Sequence, residues 1–527
     1  MIWIVLSIAF LLRITPRLVL PYAITDDGYS HYEDINILYK NRLVPPQYYT
    51  KAVLKQLFGY PYGLMYLFIL IPKKLHLAFE ILISPLSDTL MIYVAYRFFK
   101  YFTFMNQLEI DETYFCLFAG VLATYSIYLR NDSGPRAYHG SSRVISQLFF
   151  VCINYAFYLY YNSGDYMYLG ISIIFGFLLI LFSIFGTQVL FLSSVVIVCS
   201  GIWMYSLIPL GSLLLFYLLT WRKGHQMIVA RIWHYEWYFK FFQHVHLAKW
   251  KFLSNPLVDY FKTLKGWFKL ALRFNLKSLI IYFNIYNSPI HLLVASYFCY
   301  FFIFNTQTLV LKESYFVMML TLGCLLAFVA TLFRKLLFLG ESYRYLEFGV
   351  TFAMVLFFTF IYSYREIAVY FISAWIFIGL IRYVFYQVEF FKKYRIEHTN
   401  YNKYKTFFAK INPLIEGNVY ASAHFRTKGA FFGNFKYIAL RGMQSIRIES
   451  IKSHQLAFGN YPMPDFNYKE MVNHFDLNYW LTTNKEFDAY RGASSEHGDI
   501  KDVTELVHED KELGVLLLRI NRTKLKL

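Results

Sequence analysis

The sequence predicts an α-helical polytopic membrane protein of about eleven spans with a small C-terminal α/β soluble domain. Three observations predict it. Apolar residues make up 57% of the 527, aromatics 21% and charged residues only 16%, against about a quarter charged in an ordinary soluble domain. Apolar runs recur along the first three quarters of the chain, each near the ~20 residues a helix needs to cross hydrocarbon. After Lys392 those runs stop and short alternating segments replace them.

The first span is expected at about 2–20. It has no basic n-region and no clear small-residue cleavage site, so it reads as a retained helix rather than a signal peptide. A polar, aromatic first loop follows, 21–60, and its part 28–41 is expected to form a short helix lying on the membrane surface. Residues 61–84 are interrupted by Pro72, Lys73 and Lys74 and read as an interfacial or re-entrant approach. Spans are expected near 79–101, 113–130, 144–161, 166–185, 187–202 and 204–220. The stretch 187–220 is too long for one helix and is divided at Ser200–Gly201. The long loop 221–278 holds eleven Lys/Arg against two acids, Glu236 and Asp259, with aromatics at helical spacing, the pattern of amphipathic surface helices. Spans resume near 279–304, 313–333, 347–363 and 366–389.

Two regions follow from this pass. Residues 1–392 form the transmembrane domain. Residues 393–527 form the soluble α/β domain, with "SIRIES", "NYWLTT" and "GVLLLRI" as strands and "YKEMVNHF" as a helix between them. Eleven spans place loops 21–60, 130–143, 221–278 and 334–346 and the C-terminal domain on one face. The positive-inside rule disfavours the basic 221–278 loop outside, but the count gathers the unusual polar loops together.

The net charge of +18 does not indicate nucleic acid, because the bases are spread between spans and no nucleic-acid module is visible. Bases in the loops of a membrane protein meet anionic lipid instead. The five cysteines, Cys116, Cys152, Cys199, Cys299 and Cys324, show no metal or disulfide spacing and read as small core residues. His225, His234, His244 and His246 lack a metalloprotease spacing and read as interfacial residues. No metal site is indicated, and a divalent ion is not required by any motif.

Three stretches carry candidate chemistry. "ITDDGYSHYEDINIL", 24–38, sets Asp26 and Asp27 where the chain leaves the first span, followed by His31, Glu33 and Asp34. A carboxylate there is either a general base facing an acceptor hydroxyl or a helix cap, with Asp27 capping a helix that starts near Tyr29. "LRNDSGPRAYHGSSR", 129–143, offers Asp132, Arg136, His139 and Arg143. Arg suits bidentate contact with phosphate, though Arg130 and Arg143 also serve as headgroup anchors. "LFLGESYRYLEFGV", 337–350, places Glu341, Arg344 and Glu347 between two spans. These act on a ligand or pair with one another at helical spacing. Together the three describe carboxylates facing an acceptor and arginines holding an anionic leaving group at the bilayer surface.

On these residues the chain resembles the GT-C glycosyltransferases, polytopic enzymes that use polyprenyl- or dolichyl-phosphate sugars. The first extracytoplasmic loop of that class carries a D-D, D-E or D-x-D motif, and Asp26-Asp27 is similar to it in kind and place. "DDGYSHYE" resembles a D-E-x5-E pattern, which implies Asp26 as the base. "DGYSH" resembles the D-P-Y-Y-H-like motif of oligosaccharyltransferases, which implies Asp27. The P-R of 129–143 and the G-E-x-x-R-Y of 340–345 are similar to features of bacterial members. The W-W-D-Y-G signature of oligosaccharyltransferases is absent, although Trp480 lies in "NYWLTTN".

The resemblance covers about 1–390. It implies transfer of a hexosyl or pentosyl group from a lipid-linked donor to a glycan, lipid or protein acceptor. Asp26 or Asp27 would be the base, His31, Glu33, Asp132, Arg136, His139, Glu341 and Arg344 would line the substrate site, and Arg136 or Arg344 would stabilise the departing phosphate. It implies no organic cofactor and no nucleotide donor, and an active site facing outside. The plasma membrane of a prokaryote is the expected location, from the abundance of Phe, Tyr, Ile, Lys and Asn, and the endoplasmic reticulum if the source is eukaryotic. The C-terminal domain either recognises the acceptor or acts as a lid or scaffold. The rival functions are a transporter or flippase of a lipid-linked or anionic solute, a lipid-linked polysaccharide polymerase or ligase, and a non-catalytic assembly subunit.

Overall fold

A computed structural model describes residues 1–24, 26–59, 61–125, 142–241, 312–331, 333–339, 343–439, 446–460, 463 and 465–525, with residues 265, 266, 269 and 272 besides. The helices run in chain order as α1 (Ile2–Val19), α2 (Asp26–Lys40), α3 (Gly63–Ile69), α4 (His76–Met105), α5 (Glu112–Tyr125), α6 (Arg143–Ser163), α7 (Tyr166–Phe182), α8 (Ile184–Cys199), α9 (Leu207–Lys240), α10 (Lys312–Thr331), α11 (Tyr343–Ile361) and α12 (Arg365–Ile411). Six helices among the described residues are long and apolar enough to cross a membrane, and three shorter apolar ones (Glu112–Thr124, Tyr166–Phe182 and Ile184–Cys199) lie among them. The chain is a polytopic membrane protein. The expected span at 279–304 lies outside the described residues.

Local chemistry sets the helix ends. Gly164 takes a left-handed φ of 73° to end α6, a conformation that costs glycine nothing. Asp165 then caps α7 by accepting from the Met167 amide at 2.9 Å. Ser183 caps α8 by accepting from the Gly186 amide at 3.0 Å. The division expected at Ser200–Gly201 is present, with α8 ending at Cys199 and Gly201 at φ 97°.

The helices alternate between two ends of the bundle. At the far end, Ser314 of α10 donates to Asn106 after α4 at 2.9 Å, and Tyr315 to the Ser200 carbonyl at 3.0 Å. Tyr362 after α11 donates to the Glu109 carbonyl at 2.6 Å there. At the near end lie the end of α1, the start of α4, the starts of α6 and α11, the α7–α8 corner and the C-terminal domain. The core between is aromatic, with Phe98, Phe99, Phe102, Phe118, Phe157, Phe316, Phe352 and Phe358 each fully buried.

Two expectations need correction, the surface position of 28–41 and the strand at "SIRIES". The helix at 28–41 exists as α2, but it does not lie on a surface: Tyr29, Asp34, Ile35 and Leu38 are buried between α3 and the C-terminal domain. Helix α9 holds the span expected at 204–220 in its first part. It kinks at Trp221 (φ 47°, ψ −130°) and continues to Lys240. Such a backbone conformation persists only where surroundings fix it, and Gln226 supplies that by donating to the Pro46, Gln47 and Phe58 carbonyls at 2.8, 3.2 and 2.6 Å. "SIRIES" is not a strand of the sheet, and Ile446 forms only an isolated bridge with Gln56 of the first loop. Of the cysteines, Cys116 and Cys324 are buried, Cys152 is half-buried and Cys199 is exposed.

Helix α12 has 47 residues and is about 70 Å long, over twice the hydrocarbon thickness. It runs unbroken across residue 392, and its second half forms an arm that packs against the chain after α1 and against the C-terminal domain. That domain holds a five-stranded mixed sheet of order β2-β1-β3-β5-β4, with β1 (Asn418–Ala421), β2 (Lys436–Tyr437), β3 (Leu477–Thr483), β4 (Thr504–Asp510) and β5 (Val515–Ile520). Helices α13 (Ala423–Phe432), α14 (Ile451–Phe458), α15 (Tyr468–His474) and α16 (Asn484–Ala493) cover it. Strand β1 pairs parallel with β2 and β3, and β5 antiparallel with β3 and β4.

Candidate functional site

The first loop is bound into the C-terminal domain. Residues beyond Tyr49 run along the edge of β2. The Val53 and Leu54 amides donate to the Tyr437 and Ile438 carbonyls at 2.7 and 2.9 Å, and the Tyr437 amide returns a bond to the Lys51 carbonyl at 2.8 Å. An open sheet edge is thereby paired. Lys51 turns inward from this strip. Its Nζ donates to Glu33 Oε1 of α2 at 2.9 Å and to the Ala430 and Gly433 carbonyls at 3.0 and 2.8 Å. Burial pushes the Glu33 carboxyl up from its ordinary range, and the Lys51 ammonium pulls it back.

Helix α2 packs on α13 through rings. Tyr29 lies 5.8 and 5.6 Å from Phe431 and Phe432, and the buried Lys428 ammonium sits 5.7 Å over the Tyr29 ring. Tyr49 donates to Asp34 Oδ1 at 2.7 Å. Just before α2, Tyr22 stacks on Tyr401 of the α12 arm at 4.8 Å, and its amide donates to His398 Nδ1 at 3.2 Å. The first turn of α2, with Asp26 and Asp27, is therefore set between the end of α1, the arm and α13.

Two buried ion pairs fix α1 against α4, and the sequence reading passed over both. Arg17 donates to Glu80 Oε1 at 2.6 Å and to the Glu80 carbonyl at 2.8 Å. Arg13 pairs with Asp88, and its Nη1 also donates to the Ala9 and Ala123 carbonyls at 2.9 and 3.0 Å. All four side chains are essentially inaccessible. The available signal was four ionisable groups inside or beside apolar runs.

The third stretch joins the same end. Arg344, in the first turn of α11, holds its guanidinium 4.2 Å above the Phe185 ring of α8. Tyr345 donates to Gln188 Oε1 at 3.2 Å and to the Leu339 carbonyl at 3.0 Å. Glu347 is buried and accepts from Gln147 Nε2 of α6 at 3.3 Å. The α7–α8 corner beside it is tight. Ser142 donates to the Phe182 carbonyl at 2.5 Å, and a Cβ on Gly63 would meet the Phe182 ring at 2.3 Å.

Among the expected site residues, His31 and Glu33 are buried in α2, and Arg344 opens α11 at the same end of the bundle. Asp26 and Asp27 stand in the first turn of α2, and their side chains are outside what is described. Asp132, Arg136, His139 and Glu341 lie outside the described residues. His234 is half-buried, and desolvation lowers its pKa. Trp480 is a core residue of β3, with the Tyr420 and Tyr490 rings 4.7 and 4.9 Å away.

No family model and no curated protein sequence matches the chain. Solved structures do. The oligosaccharyltransferase of Archaeoglobus fulgidus in its apo form aligns over 92% of this chain and 70% of its own, with TM-score 0.54 and 13% identity. The same enzyme tethered to an acceptor peptide containing the NVT sequon aligns over 92% and 69%, with TM-score 0.55 and 13% identity. Archaeal oligosaccharyltransferase AglB from that organism, in complex with an inhibitory peptide and a dolichol-phosphate, gives 0.53 over 92% and 70%, again at 13% identity. ArnT from Cupriavidus metallidurans bound to undecaprenyl phosphate spans 98% of this chain and 97% of its own at 12% identity, with a TM-score of 0.42, too low to carry structural equivalence. The chain thus shares the overall fold of the Archaeoglobus fulgidus oligosaccharyltransferase structures, a polytopic helical bundle with a C-terminal domain.

Proposed function

We propose that the protein is a membrane glycosyltransferase. It moves a sugar from a polyprenyl-phosphate-linked donor to a hydroxyl-bearing acceptor at the near end of the bundle. The observation that carries this reading is that, on a fold similar to that of an oligosaccharyltransferase, the acidic first turn of α2 and the arginine-bearing first turn of α11 lie at the same end of the bundle. The dolichol-phosphate and peptide in the AglB complex support the ligand classes.

The chemistry is a displacement at the anomeric carbon. Asp26 or Asp27 takes the proton of the acceptor hydroxyl as its oxygen attacks. The bond from carbon to phosphate oxygen breaks, and its electron pair stays on the lipid phosphate. Arg344, with Arg136, stabilises the charge that develops there. The phosphate leaves readily by itself, so the protein contributes positioning and a base more than an acid. In this reading the C-terminal domain is the scaffold that holds α2 in place through Lys51 and α13.

Transport has one observation in its favour: ionisable side chains buried inside the bundle. Those are Arg13, Arg17, Glu80 and Asp88, and they neutralise one another in pairs. The test is reconstitution in liposomes with a radiolabelled polyprenyl-phosphate sugar. Asp26→Asn or Asp27→Asn should cut transfer about 10²–10⁴-fold, the worth of a general base, while donor binding stays within threefold or so. Full activity in the Asp26→Asn, Asp27→Asn double variant would sink the mechanism.

A further inference from the structure

The chain carries no Asp or Glu between Asp34 and Glu80, and both of those are buried. Four bases of that stretch, Lys40, Arg42, Lys73 and Lys74, are exposed. They come from two turns. One is the tip after α2, where Arg42 and Leu43 both take left-handed φ values, 51° and 70°, which residues with a Cβ rarely adopt. Hydrogen bonds hold it closed. The Leu43 amide donates to the Leu38 carbonyl at 2.9 Å and the Val44 amide to the Asn41 carbonyl at 3.1 Å. Tyr66 of α3 donates to the Leu43 carbonyl at 3.1 Å. The other turn joins α3 to α4. Tyr39, near the end of α2, donates to the Ile71 carbonyl at 3.1 Å, and its ring stacks at 5.8 Å on His76 in the first turn of α4. The two turns thus form one surface, and its aliphatic members, Leu43, Val44, Leu70 and Leu75, are exposed as well.

The spans fix where this surface lies. Helix α4 has 30 residues, about 45 Å, which matches a bilayer with its headgroups at roughly 40–45 Å. Its first turn, with His76, therefore stands at headgroup level. The first part of α9 gives the hydrocarbon boundary independently. Trp203 and Trp221 close a 19-residue apolar span and are 65% and 71% exposed, the placement of the two aromatic belts. Just past Trp221, Lys223 donates to the Pro45 carbonyl, and Gln226 donates to the Pro46 carbonyl at 2.8 Å. The tip is thereby tied to the end of one span and the start of another. Cations beside aliphatic side chains at that depth match an anionic leaflet: phosphates take the bases, and acyl chains take Leu43, Val44, Leu70 and Leu75. An acidic protein would match the charge but not the aliphatic side chains at headgroup level.

We propose that the tip 40–44 and the turn 70–75 form a seat for anionic phospholipid, separate from the candidate site. The seat does not depend on the glycosyl-transfer reading. It holds the C-terminal end of α2 at the bilayer surface, while the arm and α13 hold the first turn of the same helix. The height of α2 over the hydrocarbon is thus set by lipid as well as by protein.

The test is photo-crosslinking from the full chain in nanodiscs of phosphatidylcholine with a minor share of phosphatidylglycerol. A p-benzoylphenylalanine stands in place of Leu43 or, as a reference, of Leu214, an exposed residue of the α9 span. Mass spectrometry of the adducts identifies what lies against each position. At Leu214 the two lipids should appear in their bulk ratio. At Leu43 phosphatidylglycerol should be enriched about tenfold, since each base near an anionic surface is worth about fivefold. Lys73→Gln with Lys74→Gln should bring that enrichment close to the bulk ratio. Raising salt from about 0.1 M to about 1 M should lower it with all four bases in place. Lipid adducts at Leu43 in the bulk ratio overturn the seat, and the absence of any lipid adduct there overturns its placement at the bilayer surface. Enrichment that survives both the double variant and high salt overturns the role of the bases. Adducts to another protein, when the crosslink is repeated in native membranes, overturn the lipid assignment in favour of a protein partner.

Discussion

Replacing Lys51 by Met should loosen the first loop from the C-terminal domain. Lys51 donates to Glu33 and to two carbonyls of the α13 end. Removing it leaves Glu33, 4% exposed, without its counter-charge. Breaking a buried ion pair from one side costs about 3–5 kcal/mol. Lys51 is 18% exposed, so water screens part of the loss and about 3 kcal/mol is the reasonable figure. That corresponds to a little over a hundredfold in the docking equilibrium.

Hydrogen exchange of the Val53 and Leu54 amides reads it directly, because both bond across to the Tyr437 and Ile438 carbonyls. Their protection should fall by about a hundredfold. The sign of the pH dependence follows from Glu33. A carboxyl raised on folding favours the folded state while it is protonated. Its contribution is whole below the unfolded-state value of about 4.3 and is lost as pH rises through the folded value. The Lys51→Met defect should therefore be largest near about pH 8 and shrink as Glu33 protonates. Adding Glu33→Gln should recover most of the protection. Unchanged exchange in Lys51→Met, or no recovery in the double variant, refutes the reasoning.

Two further outcomes follow. Arg17→Met should lower stability by about 3–5 kcal/mol, while Arg17→Met with Glu80→Leu should return close to wild type; thermal unfolding in detergent checks this, and a double variant as unstable as the single one counts against a mutually neutralising pair. Trp237 donates to His454 Nδ1 at 2.7 Å, and burial lowers the His454 pKa, so this contact is whole above the unfolded-state value of about 6.5 and lost as pH falls through the folded value. Trp237→Phe should cost about 1 kcal/mol at neutral pH and abolish the acid-induced change in hydrogen exchange of α14; an unaltered pH profile would contradict it.

Particular elements show how far the sequence could be read. The spans expected at 2–20, 144–161, 313–333 and 347–363 are helices within a few residues, because hydrocarbon length and backbone satisfaction are local demands that a run of apolar residues states by itself. Strands β3 and β5 were legible as short apolar and aromatic runs, also a local pattern, whereas the alternating "SIRIES" misled. Helix α2 was legible as a helix and not as a buried one. Its polar residues suit a wet surface until α13, remote in sequence, covers them.

The sequence by itself determined the polytopic class and the order of the apolar helices. The tertiary structure alone decided which charges meet. Arg17 finds Glu80 across 63 residues, Arg13 finds Asp88 across 75, and Lys51 reaches carbonyls about 380 residues away. Such pairs leave no trace in periodicity, because a charge is stabilised by whatever lies within a few ångströms in space. The kink at Trp221 belongs to the same class: the apolar run ends there, but backbone carbonyls of the first loop bind Gln226 and keep the helix going.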